Sequence, residues 1–228
     1  MEKGSETLNI EVDAIMVAAG RKPNTGGLNL ESIGVVLDRG YVKVNPYLQT
    51  SIPHIYAIGD VNGAYPFTHK AGYEGKQVVA AAVLGLKRKV DYSNLPWVTF
   101  TDPELFHLGL TEEEARSKHE NIKVYKTELD DVDRFVTDHE TNGMIKIITD
   151  RKGAILGAHA VGSGAGDLMQ EVVYARHYGK KIGSLSHVIH PYPVRATAVQ
   201  RTADLYWREK LSGGLLPGLI KQYIKRFR

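Results

Sequence analysis

A polar and charged stretch at residues 87–94 divides the chain into two parts with different sequence patterns. Before it, two mainly apolar runs of strand length lie at residues 14–20 and 54–60, and each ends at a glycine or a Gly-Asp pair. Uninterrupted apolar runs are typical of strands that are covered on both faces in an α/β sheet. We therefore expect an α/β arrangement here, with a further strand at 41–44 and a helix at 68–84.

After this stretch, strands come first and helices later, which indicates an α+β layer with an antiparallel sheet. Thr111 and Glu114 form a capping-box pattern, which predicts a short helix after Thr111. We accordingly divide the chain into an α/β part at 1–90, an α+β part at 91–212 and a basic amphipathic tail at 213–228. The other expected elements of the second part are strands at 97–101, 105–110, 122–127, 144–149 and 155–161, a turn at 150–153, and helices at 165–178 and 197–210.

The composition excludes several kinds of site. The 228 residues include no cysteine, so this chain holds no disulfide, thiolate zinc site, cysteine nucleophile or dithiol redox centre. Its 29 basic and 26 acidic residues leave a net charge of +3, too small to indicate a nucleic-acid partner. The N-terminus is polar and no apolar run reaches about 18 residues, so we expect a cytoplasmic chain without a signal peptide or membrane span.

The tail shows a two-sided pattern at residues 219–228. Its apolar residues share one helical stripe, and its lysines and arginines fall on the other side. Such a helix either docks onto its own domain, which we favour, or rests on an anionic membrane surface. The stripe consists of Leu219, Ile220, Tyr223, Ile224 and Phe227.

Several short blocks follow one another in a specific order. They are VAAGRKPN at 17–24, YAIGDV at 56–61, THKAGYEG at 68–75, FTDPE at 100–104, GMIK at 143–146 and ILGAH at 155–159. In this order they resemble the blocks of the class I pyridine nucleotide–disulfide oxidoreductases, a flavoprotein family that includes mercuric reductase and dihydrolipoamide dehydrogenase. The resemblance covers nearly the whole chain.

The resemblance implies an FAD-dependent oxidoreductase that moves electrons from NAD(P)H through FAD to a disulfide, a metal ion or another acceptor. It also implies an incomplete three-layer FAD/NAD(P)-binding segment followed by a dimerisation domain, and therefore a homodimer. Asp60 would hydrogen-bond the ribityl or phosphate part of FAD. The cofactor-binding residues that the resemblance implies are Ala19, Gly20, Gly59, Asp60, Thr68 and His69.

Family members carry two G-x-G-x-x-G fingerprints and a redox cysteine pair, and none of these occurs in this sequence. The chain therefore looks like the C-terminal half of such an enzyme. The alternative is that the chain by itself is a non-catalytic dimerisation module that does not hold FAD, because the loops that cradle phosphates are absent.

Residues 189–197 match the segment that supplies the family's catalytic His and Glu to the partner subunit. Alignment on Pro193 puts Tyr192 at the His position and Thr197 at the Glu position. A phenol, with a pKa of about 10, is a weak base near neutrality. His190 is a second catalytic candidate, or else an ordinary structural histidine.

Two further patterns are interpreted as structural. The glycine-rich run at 162–166 leads into a helix, but Asp167 stands where a phosphate loop would have its third glycine. His187 and His190 lie three residues apart without a third ligand at metal-binding spacing, so we expect no metal site. Glu171 and Asp167 are expected to be solvated or paired surface charges.

Overall fold

The computed structural model describes residues 2–3, 6–7, 9–213 and 216–227. They form two compact units, divided between Val90 and Asp91, and each unit is described by itself. Within the described residues, no helix is both long and apolar enough to cross a membrane. The predicted fold class, a mixed α/β chain with an antiparallel sheet and helices, is confirmed.

The first unit has one long helix and two short antiparallel ladders. β1 pairs with β2 and β3 with β4, and a small core forms around Val35, Val42 and Ala57. Single turns of 3-10 helix occupy Leu30–Ile33 and Gly59–Asn62. The elements are β1 (Glu2–Lys3), β2 (Glu6–Thr7), β3 (Leu37–Asp38), β4 (Tyr41–Val42) and α1 (Thr68–Leu84).

The two strands predicted from apolar runs are wrong. Residues 14–20 lie outside any strand or helix, and Met16 is 89% exposed. A strand needs a neighbour to pair its backbone groups, and no described strand lies alongside this run. Residues 54–60 make only one bridge, from Tyr56 to Gln49, and then turn into 3-10 helix.

Helix α1 is confirmed with the predicted bounds. Gly85, with φ +68°, ends it in the left-handed conformation that glycine adopts without strain. Lys70, Glu74 and Ala81 are its buried residues, while Leu84 at its end is 66% exposed.

The second unit is built on a five-stranded antiparallel sheet. The strand order is β5-β6-β9-β8-β7, so the predicted hairpin between β8 and β9 lies inside the sheet. Phe106, Ile147 and Ala158 represent the buried face. The strands are β5 (Pro96–Thr99), β6 (Glu104–Gly109), β7 (Ile122–Glu128), β8 (Met144–Asp150) and β9 (Ile155–Gly162).

Helices cover the buried face of this sheet. Val172 and Val199 belong to the same core cluster as the buried strand residues. The capping box is confirmed, since the Thr111 hydroxyl accepts from the Glu114 N–H and the Glu114 carboxylate accepts from the Thr111 N–H. The helices are α2 (Glu112–Lys118), α3 (Asp133–Thr137), α4 (Ala165–Leu168), α5 (Gln170–His177), α6 (Ile182–Leu185), α7 (Thr197–Ser212) and α8 (Leu216–Phe227).

The predicted helix at 165–178 is two helices. Met169, with φ −88° and ψ 2°, leaves helical geometry between α4 and α5, and its side chain is fully buried. Helices α3 and α6 were not predicted because four or five residues are too few to show a helical period.

Candidate functional site

The turn at Gly59 and Asp60 is the centre of the first unit's candidate site. Gly59 has φ +76°, and a Cβ there would lie 3.3 Å from Ala71 Cβ, so the position favours glycine. Asp60 Oδ2 accepts a hydrogen bond from Arg21 Nη1 at 2.8 Å, and both side chains are largely exposed. The turn therefore presents a carboxylate beside a guanidinium at the surface.

A buried ion pair holds the backbone of this turn. The Glu74 carboxylate accepts the Gly59 N–H at 2.7 Å, and Lys70 Nζ donates to the Gly59 carbonyl at 3.0 Å. Lys70 Nζ and Glu74 Oε2 are 3.1 Å apart, and neither side chain is exposed. Both backbone groups of Gly59 are thus held by charged side chains, which make the stronger class of hydrogen bond.

Asn62 completes the network. Its Oδ1 accepts from Lys70 Nζ at 2.7 Å, and its Nδ2 donates to Glu74 Oε1 at 3.0 Å. Lys70 and Asn62 are site residues that the sequence patterns did not predict. The only sequence signal for Lys70 is its i,i+4 spacing from Glu74, and ion pairs on the exposed surface of a helix have the same spacing.

A cleft of about 360 Å³ opens beside the turn. It brings together Gly20 and Asp60, two of the predicted cofactor-binding residues, while Ala19 lies in the same exposed segment. Its charged groups are two cations and one carboxylate, a donor set suited to a ligand with phosphate and hydroxyl groups. The lining residues are Ala18, Gly20, Arg21, Lys22, Pro23, Tyr41, Asp60, Gly63 and Pro66.

Thr68 and His69 form the exposed start of α1. The His69 ring stacks on Phe67, with ring centroids 5.3 Å apart. The N-cap residue of this helix, Phe67, makes no side-chain capping hydrogen bond, and the positive end of the helix dipole lies at this start.

In the second unit, residues 188–196 form a loop before α7 that carries the catalytic candidates. His190 Nε2 lies 3.0 Å from Glu171 Oε2, and His190 Nδ1 lies 3.2 Å from the Val188 carbonyl. Both ring nitrogens therefore lie within hydrogen-bond distance of an oxygen atom. Glu171, expected as a solvated or paired surface charge, is paired and partly buried, with 24% of its side chain exposed.

Tyr192 lies in the same loop and is 76% exposed. A hydrogen bond to Asp133 and that residue's negative charge raise the pKa of Tyr192 above its ordinary value. Arg195 ties the far end of the loop to the domain, donating to Asp138 Oδ2 at 2.7 Å and to Ser163 Oγ at 3.0 Å. Thr197 begins α7, and His190 takes its carboxylate partner from α5 instead.

The glycine-rich run and the histidine pair have structural partners. The Gly166 N–H donates to Glu104 Oε2 at 2.9 Å, so a carboxylate of the same chain occupies this helix start. The His187 ring contacts the Trp207 ring edge to face, with centroids 5.7 Å apart. Across the described side chains, no cluster of three potential metal ligands occurs.

A second cleft, of about 320 Å³, lies on the five-stranded sheet. His107 stacks on Trp97 at 3.7 Å and contacts its cross-strand partner His159 at 4.8 Å between ring centroids. Burial lowers the pKa of both histidines, and the neighbouring His159 lowers that of His107 further. Lys146, which also lines the cleft, pairs with Glu112 at 3.3 Å.

Two family models match the chain. The pyridine nucleotide-disulphide oxidoreductase model matches residues 1–75, and the dimerisation-domain model of the same family matches residues 95–203. The matches thus fall in the first and the second unit, respectively.

Curated relatives and solved structures that are similar to this chain agree with the family models. A mercuric reductase from Staphylococcus aureus is 42% identical over 197 residues, which cover 85% of this chain and 36% of that protein. A dihydrolipoyl dehydrogenase from Bacillus subtilis is 35% identical over 89% of the chain and 43% of its own length. The HOCl-induced flavoprotein disulfide reductase RclA from Escherichia coli superposes with a TM-score of 0.79 at 29% identity, over 85% of this chain and 45% of that one. The chain thus spans less than half the length of these proteins.

Proposed function

Because the chain belongs to the pyridine nucleotide-disulphide oxidoreductases, we propose that it contributes part of the flavin site and the dimerisation domain of an FAD-dependent NAD(P)H oxidoreductase. In this proposal residues 1–90 belong to the nucleotide-binding part and residues 91–212 to the dimerisation domain. The cytoplasmic location expected from the sequence stays a prediction.

The observation that carries this proposal is the Gly59–Asp60 turn, fixed by the buried Lys70–Glu74 pair beside a cleft. The residues present fit FAD, because the cleft offers cations for phosphate and a carboxylate that accepts from hydroxyl groups. Asp60 would hold the ribityl or phosphate part, and Gly20 would line the same cleft. Thr68 and His69 would face the ring system from the start of α1.

Bound FAD would supply the redox chemistry, in which hydride is taken from NAD(P)H and electrons pass on to the acceptor. The chain's own contribution is position and charge. Lys70, Glu74 and Asn62 keep the Gly59–Asp60 turn in one conformation, so the Asp60 carboxylate needs no rearrangement to accept a hydrogen bond.

We place Tyr192 at the active site of the partner subunit, as the family alignment implies. A phenol is protonated near neutral pH, so it would act there as a hydrogen-bonding group rather than as a base, and it would donate in that site only after its O–H leaves Asp133. His190 stays a catalytic candidate, but its bonds to Glu171 and Val188 favour a positioning role that holds the loop.

The alternative function is that of a dimerisation module without bound flavin. This alternative concerns the chain by itself and is compatible with the proposal for the complete enzyme. We expect the chain purified by gel filtration to be colourless, and a flavin band in its visible spectrum would show that it holds FAD alone. Sedimentation equilibrium tests the dimerisation proposal. A dimer at micromolar concentration is expected, and a monomer under those conditions contradicts it.

A further inference from the structure

Helix α8 contacts α7 but leaves much of its apolar stripe exposed among the described side chains. Of the four stripe residues with described side chains, Tyr223 is 65% exposed, Phe227 67%, Ile224 48% and Ile220 37%. The docking onto its own domain that we favour from the sequence is therefore partial, since Tyr223 and Phe227 stay largely exposed. Leu219, the fifth residue of the stripe, lies outside the described side chains.

The other side of α8 is cationic. Lys221 and Lys225 lie opposite the stripe and Arg226 lies at its edge, and all three are exposed. After Glu209 the sequence has no aspartate or glutamate, so no acidic side chain of the tail offsets them. This charge is local, because without the tail's lysines and arginines the 26 acidic residues would outnumber the basic ones.

The aromatic residues reinforce the two-sided arrangement. The Tyr223 and Phe227 rings contact each other, with centroids 4.7 Å apart, and form one continuous apolar surface. Arg226 reaches over the Phe227 ring at 5.9 Å, which places a cation at the boundary of the stripe. Aromatic side chains beside basic ones suit the boundary between lipid headgroups and acyl chains.

From this geometry we propose that α8 binds an anionic lipid surface and lies in its plane. The stripe would enter the boundary of the acyl chains, and the lysines and arginine would face anionic headgroups. The charge pattern is what selects this partner, because a protein groove would cover the stripe without needing three cations around it. The inference is independent of the flavin site.

The test is co-sedimentation of the full chain with two kinds of vesicle, phosphatidylglycerol mixed with phosphatidylcholine, and phosphatidylcholine alone. We expect binding to the anionic vesicles that weakens as salt is raised. The triple substitution Lys221→Gln, Lys225→Gln, Arg226→Gln should lower the partition coefficient about 100-fold. A second variant, Ile224→Ser with Phe227→Ser, should lower it at least about 10-fold.

The matched control removes three cations from the exposed stretch between the two parts of the chain. Lys87→Gln, Arg88→Gln, Lys89→Gln makes the same change in net charge and should leave binding within about 3-fold of the unmodified chain. Equal loss in the control and the tail variant would overturn the proposal. So would failure of the unmodified chain to bind anionic vesicles, or a tail-dependent change in its sedimentation without vesicles, which would identify a second copy as the occupant.

Discussion

Lys70 Nζ lies 3.1 Å from Glu74 Oε2 in the first unit, and neither side chain reaches solvent. A buried ion pair persists only where other hydrogen bonds satisfy the remaining polar atoms, and here Gly59 and Asn62 do so. The pair therefore defines the conformation of the turn that presents Asp60. Its contribution lies in that geometry more than in net stability.

Removing one partner of this pair should destabilise the first unit strongly. Lys70→Met leaves Glu74 as an uncompensated buried charge, and we expect a loss of about 3–5 kcal/mol in the free energy of unfolding. Lys76→Met, on the exposed side of the same helix, is the control and should change stability by less than about 0.5 kcal/mol. Urea denaturation of each variant, monitored by hydrogen exchange at the amides of residues 9–90, measures both free energies of unfolding. Similar stability of the two variants would contradict the role of the pair.

The phenol of Tyr192 should titrate closer to its ordinary value when Asp133 is neutralised. The Asp133 carboxylate accepts a hydrogen bond from the phenol and its charge disfavours the phenolate, so Asp133→Asn should lower the pKa of Tyr192. NMR titration of ring-labelled tyrosine reads this directly, with Asp130→Asn as an exposed control on the preceding turn. An unchanged Tyr192 titration in Asp133→Asn would show that the contact is not made in solution.

The second unit should lose stability on acidification because of His107 and His159. Their pKa values lie below the ordinary 6.5 in the folded chain, mainly through burial, so the unfolded chain binds more protons below about pH 6.5. Their contribution is present above that pH and is lost as the pH falls through the folded values. Urea midpoints between pH 7 and 5 should therefore fall less steeply in His107→Gln, His159→Gln than in the unmodified chain. Parallel slopes would refute this assignment.

Substitution of His190 should loosen the loop at residues 188–196 and leave the fold of the second unit unchanged. His190→Ala removes the bonds to Glu171 and Val188, so amide exchange in residues 189–196 should speed up at least about 10-fold. The rest of the second unit should keep its protection. His177→Ala, at an exposed position at the end of α5, should leave the loop unchanged.

The elements that sequence predicted well are those whose signals are local. The Thr111 capping box and the α1 boundaries depend on neighbouring residues, so no knowledge of packing was needed. The run at 14–20 failed because a strand depends on a pairing partner, which local pattern does not report. The predicted helix at 165–178 is interrupted at Met169, because the burial of this side chain and its backbone conformation depend on tertiary packing, which the local sequence does not show.

The candidate site shows the same limit. Glycine and aspartate at positions 59 and 60 could be found from their motif, but the Lys70–Glu74 pair that holds them could not. An i,i+4 pair of opposite charges usually lies on the exposed surface of a helix. The Lys70–Glu74 pair is buried because of how α1 packs on the turn. Glu171 is paired, as one of the two expected outcomes had it, but its partner His190 lies 19 residues away and could not be identified from local pattern.

The most direct measurement is the FAD content of a chimera in which this chain replaces the matching region of the Staphylococcus aureus mercuric reductase, to which it is 42% identical. The account predicts that the chimera purifies with FAD, and that Asp60→Ala weakens FAD binding about 10-fold to 100-fold through the lost charged hydrogen bond. Asp38→Ala, at an exposed position in β3, should bind as the unmodified chimera does. A chimera without FAD, or an Asp60→Ala chimera that holds it equally tightly, would contradict the account.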